Sequence, residues 1–427
     1  MTETTDPVPS RTRRAASTSL PAPLAPPTPR HGGAARQSSL RENNLAVLTQ
    51  AVFASPGPVS RADLAADTGL TRSTVSRLVE ELLDAQIVVE QEPPGTRGPG
   101  RPAVPLAPAP GSIAGMGLQV NVDYMAGRVV DLTGQVLAEE LVPGDFEHSD
   151  PGRVLARTGE LARSLFAATT AAGAVVAEAH LALPGLVDVA EGRLLLAPNL
   201  GWRDLRPADH LGSDVIPAGV RLEIDNDANL AGYGVAMAAP GRRAESSTFI
   251  YVSGDIGIGS ALVAGGHIIT GQHGWAGEIG HVAIEPDGPQ CPCGARGCLE
   301  RYAGMHAIFE AAQLPPTTSG AELAAATSAY GPPRVAVERA AWALGIALAN
   351  MVNIVDVGEV VLGAGFIPLA GLLRPGIEEQ LRLRALAGPW SKVTIRTAPD
   401  DRAPATTGGA FRALDSVIRD PAAWIAG

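Results

Sequence analysis

The sequence predicts an α/β chain with a winged helix-turn-helix at its N-terminal end and a larger sheet-and-helix body behind it. Three observations carry that expectation. At 427 residues the chain is too long for one ordinary hydrophobic core. Two short helical patterns separated by a glycine turn lie between Ser60 and Asp84. From Ile113 onward, strand-like runs alternate with helical ones, as helix-covered sheets require.

The elements follow in order. Residues 1–38 are rich in Pro, Ala, Ser, Thr and Arg, lack periodic apolar positions, and are expected to form a disordered tail. Residues 39–106 are expected to form the winged domain. Leu45, Leu48, Ala51 and Val52 share one helical face, and Ser55-Pro56-Gly57-Pro58 ends that helix. Ser60 caps a helix holding Leu64 and Ala65, which Gly69 stops. Thr71 caps the next, where Val75, Leu78, Val79 and Leu82 form the buried stripe. Ile87-Val88-Val89 and Ala103-Val104-Pro105-Leu106 read as strands flanking a Gly/Pro loop, the wing, which carries Arg97 and Arg101. Residues 107–112, within PLAPAPGS, read as a linker.

The body is expected over 113–427. Its strand signals include IAGMGLQV, AGRVVDLTG, AEAHLALPG, VRLEI, STFIYVSG and GEVVLGAGF, with a helix around Leu155–Ala172. RVAVERAAWALGIALANMVNIVD and TGGAFRALDSVIRD read as covering helices, and no short tandem repeat is visible.

Composition limits the function classes. A hydrophobic fraction of 45% with 18% charged residues describes a folded chain. A net charge of −11 disfavours coating nucleic acid by bulk attraction. The charge is segregated: residues 1–110 carry 11 Lys+Arg against 10 Asp+Glu, the remainder 22 against 34. Any DNA contact is therefore expected in the first quarter. No apolar run is expected to span a bilayer, and the first residues lack the apolar centre of a signal peptide, so a cytoplasmic location with no membrane contact is expected.

Thr71, Arg72, Ser73, Thr74, Ser76 and Arg77 lie on the early turns of the second helix, opposite its apolar stripe. Short hydroxyls and guanidinium groups there suit base edges and phosphates in a major groove. Arg97 and Arg101 on an extended wing suit a narrow minor groove. The bland alternative, cap and surface residues of a helical bundle, lacks any use for the wing arginines.

All three cysteines, Cys291, Cys293 and Cys298, fall within eight residues. With His281 they make a Cys3His set, which suits a closed structural zinc site. His267 and His273 are alternative fourth ligands, and three ordinary buried thiols are the competing reading. A second, polar constellation comprises Asp225-Asn226-Asp227 after a strand, Glu278 three before His281, and Glu300 two after Cys298. Carboxylates accept hydrogen bonds from sugar hydroxyls, and an amide both donates and accepts.

On these residues the chain from about Asn44 onward resembles the ROK family of repressors and sugar kinases. The matching segments are SRADLAADTGLTRSTVSRLVEELL, Gly100-Arg101-Pro102, Leu183–Asp188, Ala197–Trp202, Ile224–Asn229, Ala276–His281 and Cys291–Glu300. The resemblance implies two actin-like lobes of the hexokinase/acetate kinase type with sugar between them. It assigns sugar contacts to Asn226, Asp227, Glu278, His281 and Glu300, with His281 also holding zinc. Kinases of this family hold ATP phosphates with an Asp-x-Gly-x-Thr loop, where this chain has Gln119, Asn121 and Asp123. Asp255-Ile256-Gly257 stands where a second phosphate loop usually reads Gly-Thr-Gly. Carboxylates there repel phosphate. Asp227 matches the family's catalytic base, yet a base without a phosphate cradle transfers nothing.

The expectation is a non-enzymatic, sugar-responsive repressor of carbohydrate genes. It would bind operator DNA, a monosaccharide or sugar phosphate, and structural Zn2+, with no ATP, as a homodimer or homotetramer. An ATP-dependent sugar kinase with a fused DNA head is the alternative, and a regulator switched by a partner protein is the third reading.

Overall fold

The structure, a computed structural model, describes residues 37–92 and 104–426. Most of the expected tail and the wing tip, with Arg97 and Arg101, lie outside the described residues.

The head comprises α1 (Gln37–Ala54), β1 (Val59–Ser60), α2 (Arg61–Thr68), α3 (Arg72–Asp84), β2 (Val88–Glu90) and β3 (Pro105–Pro108). Its small sheet runs β1-β3-β2. Ser60 and Asp63 form a reciprocal capping box, each side chain bonded to the other's backbone at 3.2 Å. Gly69, at φ 71°, closes α2 in the left-handed conformation. Thr71 caps α3, and Val75, Leu78, Val79 and Leu82 are its buried residues.

The body begins with β4 (Ile113–Val120), β5 (Tyr124–Asp131) and β6 (Val136–Pro143). Next come α4 (Pro151–Ala171), β7 (Val175–Leu183), β8 (Leu186–Asp188), β9 (Arg193–Ala197), β10 (Trp202–Leu205) and β11 (Arg221–Asn226). The chain then crosses through α5 (Asp227–Ala236), β12 (Met237–Ala239) and β13 (Arg242–Arg243) to β14 (Phe249–Gly254), β15 (Ile258–Ala264) and β16 (His267–Ile268). Short helices α6 (Glu300–Ala303), α7 (Met305–Ala312) and α8 (Gly320–Ala326) precede α9 (Pro332–Val355) and β17 (Glu359–Ala364). The last elements are α10 (Ala370–Arg384), β18 (Thr394–Thr397), α11 (Pro404–Arg419) and α12 (Pro421–Ala426).

Two five-stranded mixed sheets organise this body. The first runs β11-β7-β4-β5-β6 and the second β18-β17-β14-β15-β16. In each, the first strand in sequence pairs antiparallel with the second and parallel with the fourth. The lobes thus share one topology that leaves no repeat in the sequence. All eight residues of β4 are buried, because helices cover both faces of its sheet: α4 one, α11 the other. Close approach of α5 and α11 depends on Gly408, where a Cβ would lie 1.7 Å from the Leu230 carbonyl oxygen.

Two expectations need correction. By length and composition α9 could cross a membrane, contrary to the expectation that no run could. It is instead a core helix: Ala336, Ala340, Leu344 and Leu348 pack into the cluster that also buries Leu373 and Ile377 of α10. Nor is 107–112 a loose tether. Ala107 and Pro108 continue β3, Ser112 Oγ donates to the Gln86 carbonyl at 2.8 Å, and Gly111 N donates to Asp131 Oδ2 at 2.8 Å. The head core continues into the body: Leu45, Leu48, Phe53 and Leu78 share one buried cluster with Ile113, Leu132, Leu414, Val417 and Ile418. Arg242 adds a hydrogen bond to the Pro56 carbonyl at 3.2 Å.

Candidate functional site

A cleft between the lobes gathers the five expected sugar-contact residues from three chain regions. Asn226 and Asp227 stand at the β11–α5 junction, because Asn226 is the N-cap of α5. Its Oδ1 accepts from Asn229 N at 3.0 Å, and its Nδ2 donates to the Gly185 carbonyl at 3.0 Å. One N–H and one lone pair of that amide are left for a ligand. Glu278 and His281 come from the segment after β16, and Glu300 from the start of α6. All five expected sugar-contact residues line this one cavity.

Glu300 reaches the second lobe's first turn. Its Oε2 accepts from Ile258 N at 3.2 Å, and a Cβ on Gly257 would lie 2.3 Å from that oxygen. Asn199 also lines the cleft, with its Nδ2 beside Gly257. In the sequence, Asn199 lies within the Ala197–Trp202 segment that carries the family resemblance, and nothing there marks it as a cleft residue except an amide between two tight turns.

The cleft is carboxyl-rich, and among the described residues no Lys or Arg lines it. Burial, then the nearby Asp255 and Glu278 charges, push Asp227 up to about 7. Burial and Asp123 push Asp255 up to about 6, against a hydrogen bond from Asn121. Glu278 is also raised, by burial and Glu300, with His281 opposing. Asn121 follows β4 and Asp255 follows β14, so the two turns are topological counterparts. They meet across the cleft through Asn121 Nδ2 donating to Asp255 Oδ2 at 3.2 Å. Gln119 is buried within β4.

Beside the cleft lies the His281, Cys291, Cys293 and Cys298 cluster, whose ligand atoms all lie within 4.8 Å of one another. Cys293 and Cys298 sulfurs are 3.7 Å apart, close to the roughly 3.8 Å edge of a tetrahedron with Zn–S of about 2.3 Å. His281 Nδ1 faces Cys291 Sγ at 4.0 Å, which leaves Nε2 on a ring that also lines the cleft. The two alternative fourth ligands are engaged elsewhere: His267 contacts Arg243 Nη2 at 2.9 Å and His273 stacks on Trp275. The loop is pinned by Leu299 N donating to the Val282 carbonyl at 2.9 Å and Ile284 N to Gly297 O at 2.8 Å. Gly297, at φ 68°, has the Glu285 carbonyl oxygen 1.7 Å from its would-be Cβ, so no side chain fits.

On the head, Thr71, Arg72, Ser73, Ser76 and Arg77 are exposed and Thr74 partly so. The Thr71, Ser73 and Thr74 hydroxyls form a capping network at 2.8–3.0 Å, and Arg77 pairs with Glu81 at 2.9 Å. Arg72 and Ser76 make no side-chain hydrogen bond among the described residues. The helix therefore offers one free guanidinium and a hydroxyl-lined N-terminus.

Comparisons with known proteins fit both regions. The ROK family profile matches residues 116–415, and the IclR helix-turn-helix domain profile matches residues 50–92. A xylose repressor of Bacillus subtilis is 29% identical over 65% of this chain and 70% of its own length. The crystal structure of a ROK family transcriptional regulator, a homologue of the Escherichia coli Mlc protein, superposes with TM-score 0.75 at 23% identity, covering 91% of this chain and all of that one. A ROK hexokinase from Thermus thermophilus superposes with TM-score 0.56 at 29% identity, covering 71% of this chain and 99% of its own.

Proposed function

The chain belongs to the ROK family, and from that premise we propose that it is a sugar-responsive DNA-binding repressor whose cleft senses sugar without phosphorylating it. One observation carries the reading: five polar side chains suited to sugar hydroxyls converge in a cleft whose two phosphate-loop positions hold an amide and a carboxylate bonded to each other. A phosphate entering there would displace that bond and meet Asp227 and Asp255, with no Lys or Arg among the described residues that line the cleft. The same charge favours a neutral monosaccharide over a sugar phosphate as effector.

Zn2+ fits the Cys3His cluster as a structural ion, held by His281, Cys291, Cys293 and Cys298. Bound there, it would fix the imidazole plane and so aim the other ring nitrogen at the cleft. Operator contact would come from Thr71, Arg72, Ser73, Thr74, Ser76 and Arg77 in a major groove, with the wing arginines Arg97 and Arg101 alongside. Paired heads on an oligomer would read two half-sites.

The sugar-kinase reading has one observation in its favour, an Asp227 carboxyl near the pKa a general base needs. Two assays separate the readings. Titrating labelled operator DNA with and without neutral sugars should show an affinity change of about 5–150-fold. ADP release with sugar and ATP should stay at background; turnover there, or no sugar effect on DNA affinity, overturns the proposal.

A further inference from the structure

The β12–β13 hairpin sets two consecutive arginines, Arg242 and Arg243, at the seam between the DNA head and the body. Gly241 at its turn, with φ 70°, is wedged between α1 and α11: a Cβ there would lie 2.8 Å from Phe53 Cβ and 3.2 Å from Ile418 Cδ1. The hairpin is therefore fixed against elements from both ends of the chain.

A cavity opens beside it. Gln50 and Ala54 of α1 form one wall, and Arg242, Arg243 and Arg419 bring positive charge. Among the described residues that line it, Asp415 is the one carboxylate. That carboxylate is already engaged: its Oδ2 accepts from the Tyr233 hydroxyl at 2.8 Å, from Arg412 Nη1 at 3.3 Å and from Arg419 Nη2 at 3.2 Å. Two further acids lie close in sequence and do not line the cavity, Glu245 and Asp420. Asp420 Oδ1 accepts instead from Ala423 N at 3.1 Å, in the first turn of α12.

Neither Arg242 nor Arg243 has an ion-pair partner among the described residues. Arg242 donates Nη1 to the Pro56 carbonyl at 3.2 Å, and its Nε is buried with no acceptor. Arg243 meets only the imidazole Nε2 of His267, at 2.9 Å from its Nη2. Gly266, at φ 77°, makes room for that side chain, since a Cβ there would lie 3.0 Å from Arg243 Cδ and Nε.

A guanidinium presents Nε–H and a neighbouring Nη–H as a parallel fork that fits two oxygens of one phosphate. A buried donor without an acceptor is unfavourable, and an oxyanion at the Arg242 fork removes the deficit. Three guanidinium groups reaching in from the hairpin and from α11 suit the three acceptor oxygens of a phosphate better than the two of a carboxylate. With α1 closing one wall, the recess admits a small anion rather than the convex backbone of a duplex.

We propose that this seam cavity binds a small phosphate-bearing molecule, its phosphoryl oxygens held by Arg242, Arg243 and Arg419. The inference goes beyond sugar sensing and does not rest on it: the carboxyl-rich cleft between the lobes suits a neutral ligand, and the seam an anionic one.

The test is calorimetric titration of the full chain with inorganic phosphate, at ionic strength held constant with chloride. Wild type should show one saturable site per chain. Arg243→Gln, at an exposed position, should weaken it about 10–100-fold, the loss expected for a hydrogen-bonded charged group. Arg419→Gln on the opposite wall should weaken it as well. Arg374→Gln, an exposed arginine of α10 far from the seam in sequence, should bind phosphate like wild type. No saturable binding by wild type overturns the proposal, as does equal loss in Arg374→Gln or full binding by both seam variants. Operator titration across a salt series separates the other source of phosphate, DNA itself. If Arg243 serves the DNA backbone instead, Arg243→Gln lowers the slope of log affinity against log salt by about one while wild type fails to saturate with phosphate, and the small-ligand site is then refuted.

Discussion

Gly408→Ala should disturb both the fold and the cleft, although Gly408 lines neither the cleft nor the head. Its would-be Cβ lies 1.7 Å from the Leu230 carbonyl oxygen, 2.5 Å from that carbon and 3.1 Å from Gly234 N. These are backbone atoms of α5, so no rotamer change relieves the clash. A methyl carbon needs about 3.3 Å or more from a carbonyl oxygen, so α11 and α5 must part by roughly 1.5 Å. Overpacking of this kind costs typically about 1–3 kcal/mol, and a helix–helix backbone clash belongs at or above the upper end. The melting temperature should fall by on the order of 5 °C or more. Because α5 begins at Asp227 and is capped by Asn226, sugar affinity should fall with it, by up to about 100-fold for a displacement near 1 Å. Gly371→Ala is the control: the same change, in helix α10, with open space around the new methyl. That variant should be neutral or slightly stabilised, since alanine is favoured over glycine in helices by about 1 kcal/mol. The measurement is differential scanning fluorimetry with calorimetric sugar titration. Equal melting temperatures and sugar affinities for the two variants would refute the reasoning.

Other expectations concern the cleft, the metal cluster and the head. Sugar hydroxyls donating to Asp227 stabilise its ionised form, so effector affinity should rise with pH through about 6–7 and level off above, with Asp227→Asn flattening the profile. The same raised carboxyl makes the folded chain lose stability as pH rises from the ordinary carboxyl range through about 7, and effector-free melting curves in Asp227→Asn should lack that slope. Cys298→Ser should lower bound zinc by elemental analysis from about one equivalent towards none and weaken sugar binding about 10–100-fold by freeing His281, while leaving α3 able to bind DNA. Arg72→Ala should reduce operator affinity and lower the slope of log affinity against log salt by about one phosphate contact; an unchanged slope would take Arg72 off the DNA.

Much of the head was legible because its signals are local. The caps at Ser60 and Thr71, the stop at Gly69 and the stripe Val75, Leu78, Val79 and Leu82 need only neighbours within one or two turns. The five cleft residues were legible as motif fragments, and the fold brings them together. Their electrostatics were not, because the Asp227 and Asp255 shifts come from burial and from charges that the lobes assemble at long range. The two-residue strand β1 has no room for a periodic pattern. Leu414, Val417 and Ile418 read as a generic apolar helix face, and nothing in their spacing says that the face meets the DNA head. The duplicated sheet order is a property of pairing, which survives after residue similarity between the halves is gone.

The shared core between head and body bears on how such a chain can be cut and recombined. A graft at residues 107–112 would seem natural for transplanting the DNA specificity of one regulator onto the sensor of another. Here that cut leaves Leu414, Val417 and Ile418 facing water on one fragment and Phe53, Leu45 and Leu48 on the other. Both fragments would be sticky and neither would melt as the parent does. A workable chimera must carry α11 and α12 with the head, or redesign that buried face as a unit. The boundary useful to an engineer is therefore a packing surface drawn from both ends of the chain.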